Sequence, residues 1–429
     1  MNYEQTIQYL FEKLPMFSRL GAAAFKKDLT NTIALCNALN NPQQKFKIIH
    51  IAGTNGKGSV SNMLAAVLQT AGYKTGLYTS PHLKDFKERI KINGVLCSEE
   101  FIIQFTKKIQ PYIEIIQPSF FEITVAMAFE YFAQQQVDIA IIETGLGGRL
   151  DSTNIITPEL SVITNIGYDH MNILGNTLEK IAFEKAGIIK QNVPVVIGET
   201  HKETANVFVK KANEVNATIV FADKQRWIAD WQYEHHLLNV SVANHLNDEH
   251  EKYSLDLNGI YQTKNLLTVL EALHQLRFKG WSINKKDMQY ALQHTKKITG
   301  LHGRWEVIHQ QPTVVLDVAH NEDGIKQIVQ QLALINYNRL HIIFGMVKDK
   351  AIDNVLKLLP KQANYYFTQA QIERALNAEA LRDKAITEEL NGNCFLNVNI
   401  ALKEAMQNAD KNDLILICGS VFLVGEVEL

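Results

Sequence analysis

The sequence predicts a two-domain α/β protein: a larger domain with a mostly parallel sheet over residues 1–297, and a smaller α/β domain over 298–429. Three observations lead there. The chain has 429 residues, 46% of them hydrophobic, whereas single cores stop growing near ~250–300 residues. Short β-branched apolar runs alternate with helical segments, and a glycine-rich turn joins the first run to its helix. A second alternating series begins near residue 300.

The first forty residues read as helical, with Tyr9, Leu10, Leu14 and Phe17 as apolar positions, until Asn40, Asn41 and Pro42 break the pattern. KFKIIHIAG then reads as a strand, and SNMLAAVLQTAG as a helix closed by Gly72. Further strands are KTGLYTS (74–80), VDIAIIE (137–143), LSVITNI (160–166) and VPVVIG (193–198). Helical segments such as EEFIIQFTKKIQ and ITVAMAFEYFAQQQ separate them. Near-continuous apolar strands between helices indicate a parallel sheet covered on both faces. Residues 200–260 are polar and rich in His and Asn, with short runs such as HHLLNVSV and YSLDLNG. They read as a small antiparallel or irregular section. TVVLDVAH, RLHIIFGMV, NYYFTQA and LILICGS are the strands of the second, Rossmann-like series. The segment KKITGLHGRWEV, with Gly300 and Gly303, reads as the junction. No short-period repeat or low-complexity tract interrupts the chain.

Composition excludes several classes. With 43 basic and 45 acidic side chains the net charge is -2, which argues against a bulk nucleic-acid binder. Cys36, Cys97, Cys394 and Cys418 form no C-x-x-C pair, so neither a disulfide framework nor a zinc site is expected. The opening MNYEQTIQYLFEKLP has acids and no long apolar stretch, unlike a signal peptide. No run approaches the ~20 apolar residues of a membrane span. A cytoplasmic monomer without nucleic-acid or membrane partners is the expectation.

Gly53-Thr54-Asn55-Gly56-Lys57-Gly58-Ser59 follows a strand and opens a helix. Backbone N–H groups in such a loop, with the helix N-terminus, form an anion site. Lys57 adds a point charge for nucleotide phosphates and Ser59 a hydroxyl for Mg²⁺. The spacing departs from G-x-x-x-x-G-K-[ST], because one residue is missing between the outer glycines and Gly58 separates lysine from serine. An ordinary glycine-rich turn is the bland alternative.

Ser80, Glu143, Asp169 and His170 stand at or just beyond strand ends. Ligands in open parallel sheets bind beyond the carboxyl ends of the strands, so these residues are expected on the rim that carries the glycine loop. Hydroxyl, carboxylate and imidazole, completed by phosphates and water, suit Mg²⁺, with Mn²⁺ a ready substitute given the imidazole. Singly, each has a plain reading: a turn cap for Ser80, a pair with Arg149 for Glu143, a surface histidine for His170. Lys185 sits among Ala182, Phe183, Ala186, Ile188 and Ile189, which favours its partial burial.

Together these segments resemble the folylpolyglutamate synthase/dihydrofolate synthase family of the Mur ligase superfamily. HIAGTNGKGSV, YTSPHLKDFKERIKING, FFEIT, ETGLGGRLDSTN and TNIGYDHMNILGNTLEKIAFEKAGIIK carry the resemblance in order. GIYQTKN, HGRWEV, LDVAHN, GMVKDK and CGSVFLVGEV extend it over nearly the whole chain. The resemblance implies an ATP-dependent ligase that joins a folate or dihydropteroate carboxylate to L-glutamate. It implies ATP phosphates on Gly53 to Ser59, nucleotide contacts from Asn265, Arg304 and Asp317, and two Mg²⁺ ions near Ser59, Ser80, Glu143 and His170. Lys185 matches a lysine that is carbamylated in the superfamily, which would hold the second ion. Lys57, Lys185 and His320 are the implied catalytic groups, and Phe121, Glu122 and Asp151 fall where the pterin is held. A closing second domain would bring Arg304, Asp317 and His320 to the nucleotide.

Two departures stand out: Tyr261-Gln262 where the family often has His-Gln, and LDVAHNE, with Val318 and Glu322, in place of LDGAHNP. Two rivals compete with this reading. A cell-wall ligase of the same superfamily would carry an extra N-terminal domain, for which the residues before Gly53 are too few. A non-catalytic nucleotide switch would not need Asp317, His320 or a buried lysine.

Overall fold

The computed structural model describes residues 1–15, 28–245 and 249–428. Phe17 lies outside them. The chain forms two compact units: Met1–Gly167 with Met171–Asp256 and Gln262–Leu301, and Tyr168–His170 with Leu257–Tyr261 and His302–Leu429.

The first unit opens with α1 (Tyr3–Lys13), started by a capping box between Asn2 and Gln5, and α2 (Thr30–Ala38). Asn40 and Asn41 then take left-handed backbone and Pro42 begins a 3-10 turn, which ends the helical stretch. β1 (Lys47–Ala52) runs into the glycine loop, and α3 (Lys57–Thr70) leaves it. β2 (Thr75–Tyr78) is followed by the hairpin of β3 (Ile90–Ile92) and β4 (Val95–Leu96). α4 (Glu99–Ile116) and α5 (Phe120–Gln134) lead to β5 (Ile139–Glu143). Next come β6 (Leu160–Ile163), α6 (Leu178–Ala186), β7 (Val195–Ile197), α7 (Ala205–Glu214) and β8 (Ile219–Phe221).

These strands form one sheet in the order β4-β3-β2-β5-β1-β6-β7-β8, in which only β3 runs opposite to the rest. β1 lies between β5 and β6, with Ile51 level with Glu143 and Ala52 level with Ile163. Both faces are covered, as the apolar strands require. On one side Leu10, Leu35, Phe129 and Phe132 pack with Tyr78 and Ile142; on the other, Ile181, Ile188 and Phe208 pack with Ile163 and Ile197. Each fully buried Ile or Leu contributes roughly 1.5–3 kcal/mol by leaving water.

The segment expected to be antiparallel or irregular divides. Residues 205–221 supply α7 and the parallel edge strand β8, a correction to that expectation. β9 (Arg226–Glu234), β10 (Leu237–Asn244) and β11 (His250–Leu255) form a separate antiparallel sheet. His235 and His236, at φ 50° and 62°, make the two-residue turn between β9 and β10, the geometry that suits the twist of a hairpin. α8 (Gln262–Phe278) follows, nearly all buried in its first half.

The second unit has six strands: β12 (Glu306–Gln310), β13 (Thr313–Leu316), β14 (Leu340–Phe344), β15 (Asn364–Phe367), β16 (Gly392–Cys394) and β17 (Leu414–Cys418). Their order is β12-β13-β17-β14-β15-β16, with only β12 antiparallel. α9 (Glu322–Leu332) follows β13, with Ile325, Ile328 and Leu332 in the core. No helix among the described residues is long and apolar enough to cross a membrane.

Candidate active site

The glycine loop is shaped by two close approaches. Gly53 has φ 152°, and a Cβ there would lie 1.8 Å from the Thr164 hydroxyl. Gly56 has φ 82°, and its Cβ would meet Asn265 Oδ1 at 2.3 Å. Only glycine takes these backbone states without cost. The loop is held from the end of β6. Thr54 N–H donates to Asn165 O at 3.0 Å, Asn55 N–H to Asn165 Oδ1 at 2.9 Å, and Thr164 Oγ1–H to Asn55 O at 2.6 Å. The Thr54 hydroxyl exchanges hydrogen bonds with Gly167 O and N. An incoming anion is thereby left the first amides of α3, at Lys57, Gly58 and Ser59, which a helix cannot pair internally. Gly56, the residue before the helix, offers them no side-chain cap.

Two ammonium groups converge on one carbonyl of this loop. Lys57 Nζ donates to Gly53 O at 3.1 Å and to Thr54 O at 3.3 Å. Lys185, near the end of α6 and 4% exposed, donates to the same Gly53 O at 2.8 Å. Ser59 is buried and its Oγ accepts from Gln262 Nε2 at 3.1 Å, while Gln262 Oε1 accepts from Asn265 Nδ2 at 2.7 Å. Asn265 thus lines Gly56 and orients Ser59 through Gln262.

Ser80 and Glu143 reach the same rim by register. Tyr78 is level with Ile142, so Glu143 ends β5 one residue beyond that pair and Ser80 follows two beyond Tyr78. Glu143 is 4% exposed. Its expected alternative partner, Arg149, pairs with Glu184 at 2.8 Å. The pair fastens the glycine-rich 145–148 loop to α6, with Arg149 N–H donating to Glu184 O at 2.7 Å.

Phe121, Glu122 and Asp151 have separate surroundings. Phe121 lies against the backbone of Gly145 and near Tyr78. Glu122 closes the capping box of α5, accepting from Ser119 N–H at 2.6 Å. Asp151 is buried and accepts from the amides of Leu146 and Thr153 and from the Thr153 hydroxyl. Burial pushes its carboxyl up and these donors oppose the shift. The Thr153 hydroxyl, spent on Asp151, accepts from His50 Nε2 at 2.8 Å. His50 is therefore neutral, and burial pulls it down to about 3.

In the second unit Asp317 follows β13 and is buried. It accepts from Tyr261 OH at 2.7 Å, Trp305 N–H at 2.9 Å and Ala319 N–H at 2.9 Å. Burial raises its carboxyl against those bonds and the charge of Arg304. Tyr261, one departure from the family pattern, thus puts its hydroxyl on Asp317. Glu322, the other, is the first residue of α9 behind the Asn321 cap, where an acid suits the helix N-terminus as well as proline would. Arg304 is partly exposed, its guanidinium donating to Gly303 O at 3.2 Å.

Asp169 and His170 group with this second unit. Asp169 meets Lys350 Nζ at 2.5 Å, Asn321 Nδ2 at 3.2 Å and His320 Nε2 at 3.4 Å. Burial alone would raise its carboxyl; Lys350 and His320 hold it well below the usual range. His320 donates through Nδ1 to Val318 O at 2.9 Å. His170 is pulled down to about 3, first by burial and then by Lys350, which keeps the imidazole neutral. Lys350, Gln262, Thr164 and Asn165 were not among the expected site residues. GMVKDK, GIYQTKN and TNIG mark their segments, but only tertiary contacts show what each side chain touches.

The fold and these loops define a Mur-type ligase. Residues 51–273 match the Mur ligase middle domain and 303–421 the Mur ligase, glutamate ligase domain. The dihydrofolate synthase/folylpolyglutamate synthase of Bacillus subtilis is 35% identical over 91% of this chain and 91% of its own. A structure of Escherichia coli FolC in complex with DHPP and ADP superposes with a TM-score of 0.84 at 28% identity, covering 99% of this chain and 96% of that one. The bifunctional folylpolyglutamate synthase/dihydrofolate synthase of Yersinia pestis, complexed with AMPPNP and a Mn ion, gives 0.83 at 28% identity, with 99% and 97% covered. The chain belongs to the folylpolyglutamate synthase/dihydrofolate synthase family.

Proposed function

We propose that this protein is an ATP-dependent ligase that joins the carboxylate of a dihydropteroate or folate to the amine of L-glutamate, in both the dihydrofolate synthase and folylpolyglutamate synthase reactions. The observation that carries the reading is the pair of lysines on Gly53 O, 3.1 Å from Lys57 and 2.8 Å from Lys185. It concentrates positive charge on a phosphate-type loop, which a switch that only binds nucleotide does not require.

A carboxylate resists amines because its leaving group is poor. Its oxygen therefore attacks the ATP γ-phosphorus, the bond to ADP breaks, and an acyl phosphate results. The glutamate amine then attacks the acyl carbon, loses a proton, and inorganic phosphate departs. Such steps depend on positioning and charge neutralisation. Lys57 and the first amides of α3 hold the phosphates. Thr54, Asn55 and Asn265 shape the loop that presents them. Arg304, Asp317 and His320 are the second unit's groups for the nucleotide and the acyl phosphate. Phe121 supplies a ring for the pterin, while Glu122 and Asp151 position the segments around it.

Ser59, Ser80 and Glu143 offer hard oxygens and His170 a neutral imidazole. Among the described residues no three His, Cys, Asp or Glu side chains cluster as a metal site, so phosphates and water must complete any shell, as Mg²⁺ prefers. When bound, two Mg²⁺ ions, or Mn²⁺, would neutralise charge on the transferring phosphoryl group. Lys185 fits carbamylation. Its nitrogen would keep one N–H for Gly53 O while gaining an anionic oxygen pair toward a second ion.

Phosphate release from Mg-ATP with L-glutamate tests the reading, with 7,8-dihydropteroate and tetrahydrofolate added separately. Stimulation by both is the expected result. Stimulation by one alone makes the enzyme monofunctional, and by neither removes the folate assignment.

A further inference from the structure

Arg89 is a buried cation that forms no ion pair within 4.0 Å of an acid among the described residues. It is 8% exposed. Its Nε–H donates to His82 Nδ1 at 2.8 Å, and its guanidinium lies 5.4 Å from the centre of the Phe120 ring. These contacts hold one edge and one face of the group. Tyr78, fully buried at the end of β2, has its hydroxyl on Thr124 Oγ1 at 3.1 Å. Glu88 and then Glu143 act on it through their fields, neither within ion-pair distance.

An arginine this buried normally has a carboxylate, because an uncompensated interior charge is costly. Its planar fork matches carboxylate geometry better than any other side chain does. The surroundings favour an anion attached to an aromatic body: Phe120, whose ring lies under the guanidinium, and Phe121 begin the helix α5.

We propose that Arg89 binds the carboxylate of the acid substrate, the group that becomes phosphorylated, at the boundary between the aromatic wall and the rim that bears Glu143. The inference rests on the folate reading above and deepens it. One carboxylate oxygen forms the bond to the γ-phosphorus as the bond to ADP breaks. The other stays on Arg89 as the acyl oxygen, and it gains negative charge when the amine adds to the carbon. The guanidinium so serves both steps, and His82 keeps it aimed.

The test compares binding of dihydropteroate with that of its carboxamide analogue in wild type, Arg89→Gln and Arg89→Lys, alongside binding of an ATP analogue. Wild type should prefer the carboxylate. Arg89→Gln should lose that preference by about 10–100-fold, as for a charge-assisted hydrogen bond, with nucleotide affinity unchanged. Should Arg89→Gln fail to fold, Arg89→Lys decides, since it keeps the charge, loses the fork and should lose part of the preference. An undiminished preference in a folded variant overturns the proposal. Equal binding of acid and amide by wild type overturns it while leaving the folate reading intact. No binding of dihydropteroate by wild type overturns both.

Discussion

The Lys185 ammonium donates to the carbonyl of Gly53 at 2.8 Å, joining the end of α6 to the turn that leaves β1. Lys185→Ala removes that tie and the amine that would be carbamylated. Phosphate release should fall by about 10³-fold or more if both charge stabilisation and positioning are lost, and added bicarbonate should not restore it. Full activity in the variant would remove the carbamate from the mechanism.

Gly53→Ala tests the loop. A Cβ 1.8 Å from Thr164 Oγ1 forces β1 and β6 apart where the loop is held. Thermal unfolding should move down by several degrees, as a loss of ~1–3 kcal/mol implies, and ATP affinity should fall with it. An unchanged melting temperature and nucleotide affinity would show that the approach is not tight.

Tyr261→Phe deletes one of three donors to buried Asp317. The loss should cost about 1–3 kcal/mol, the penalty for under-satisfying a buried carboxylate. Denaturant unfolding followed through tryptophan fluorescence measures it. Tyr261→His restores the usual family residue, and it should recover stability only if imidazole reaches Asp317.

His50 sets an acid limit. Its folded value is pulled down to about 3 from an ordinary 6.5. The neutral ring therefore contributes stability that is fully present above pH 6.5 and is lost as pH falls from there toward 3. His50→Gln should flatten that part of the stability–pH curve while lowering stability at neutral pH. An unchanged slope would mean the ring is not neutral and buried.

The parallel strands were legible because each is a short apolar run closed by turn residues; Ile139–Ile142 and Leu414–Cys418 are fully buried, as such runs should be. The β3–β4 hairpin is not legible in the sequence, although Asn93 and Gly94, at φ 48° and 75°, make the turn such a pair favours. Its strands are only three and two residues long, too short for alternation to show. β8 was hidden for a related reason, being a partly exposed edge strand in a polar stretch. At the candidate site, the glycines and Lys57 could be read from spacing along the chain. The Gln262–Ser59 and Lys350–Asp169 contacts could not, since 203 and 181 residues separate the partners. Nor could the contacts of Asp169 with Lys350 and with the amide of Asn321 be read from the order of residues after β6.

The most direct test of the central claim follows one oxygen atom. Dihydropteroate labelled with heavy oxygen in its carboxylate is incubated with enzyme, Mg-ATP and L-glutamate, and the released phosphate is examined by mass spectrometry. An acyl-phosphate ligase transfers one labelled oxygen to each phosphate as the amide forms. Amide formation with unlabelled phosphate would contradict the account, because the carboxylate would not have been phosphorylated.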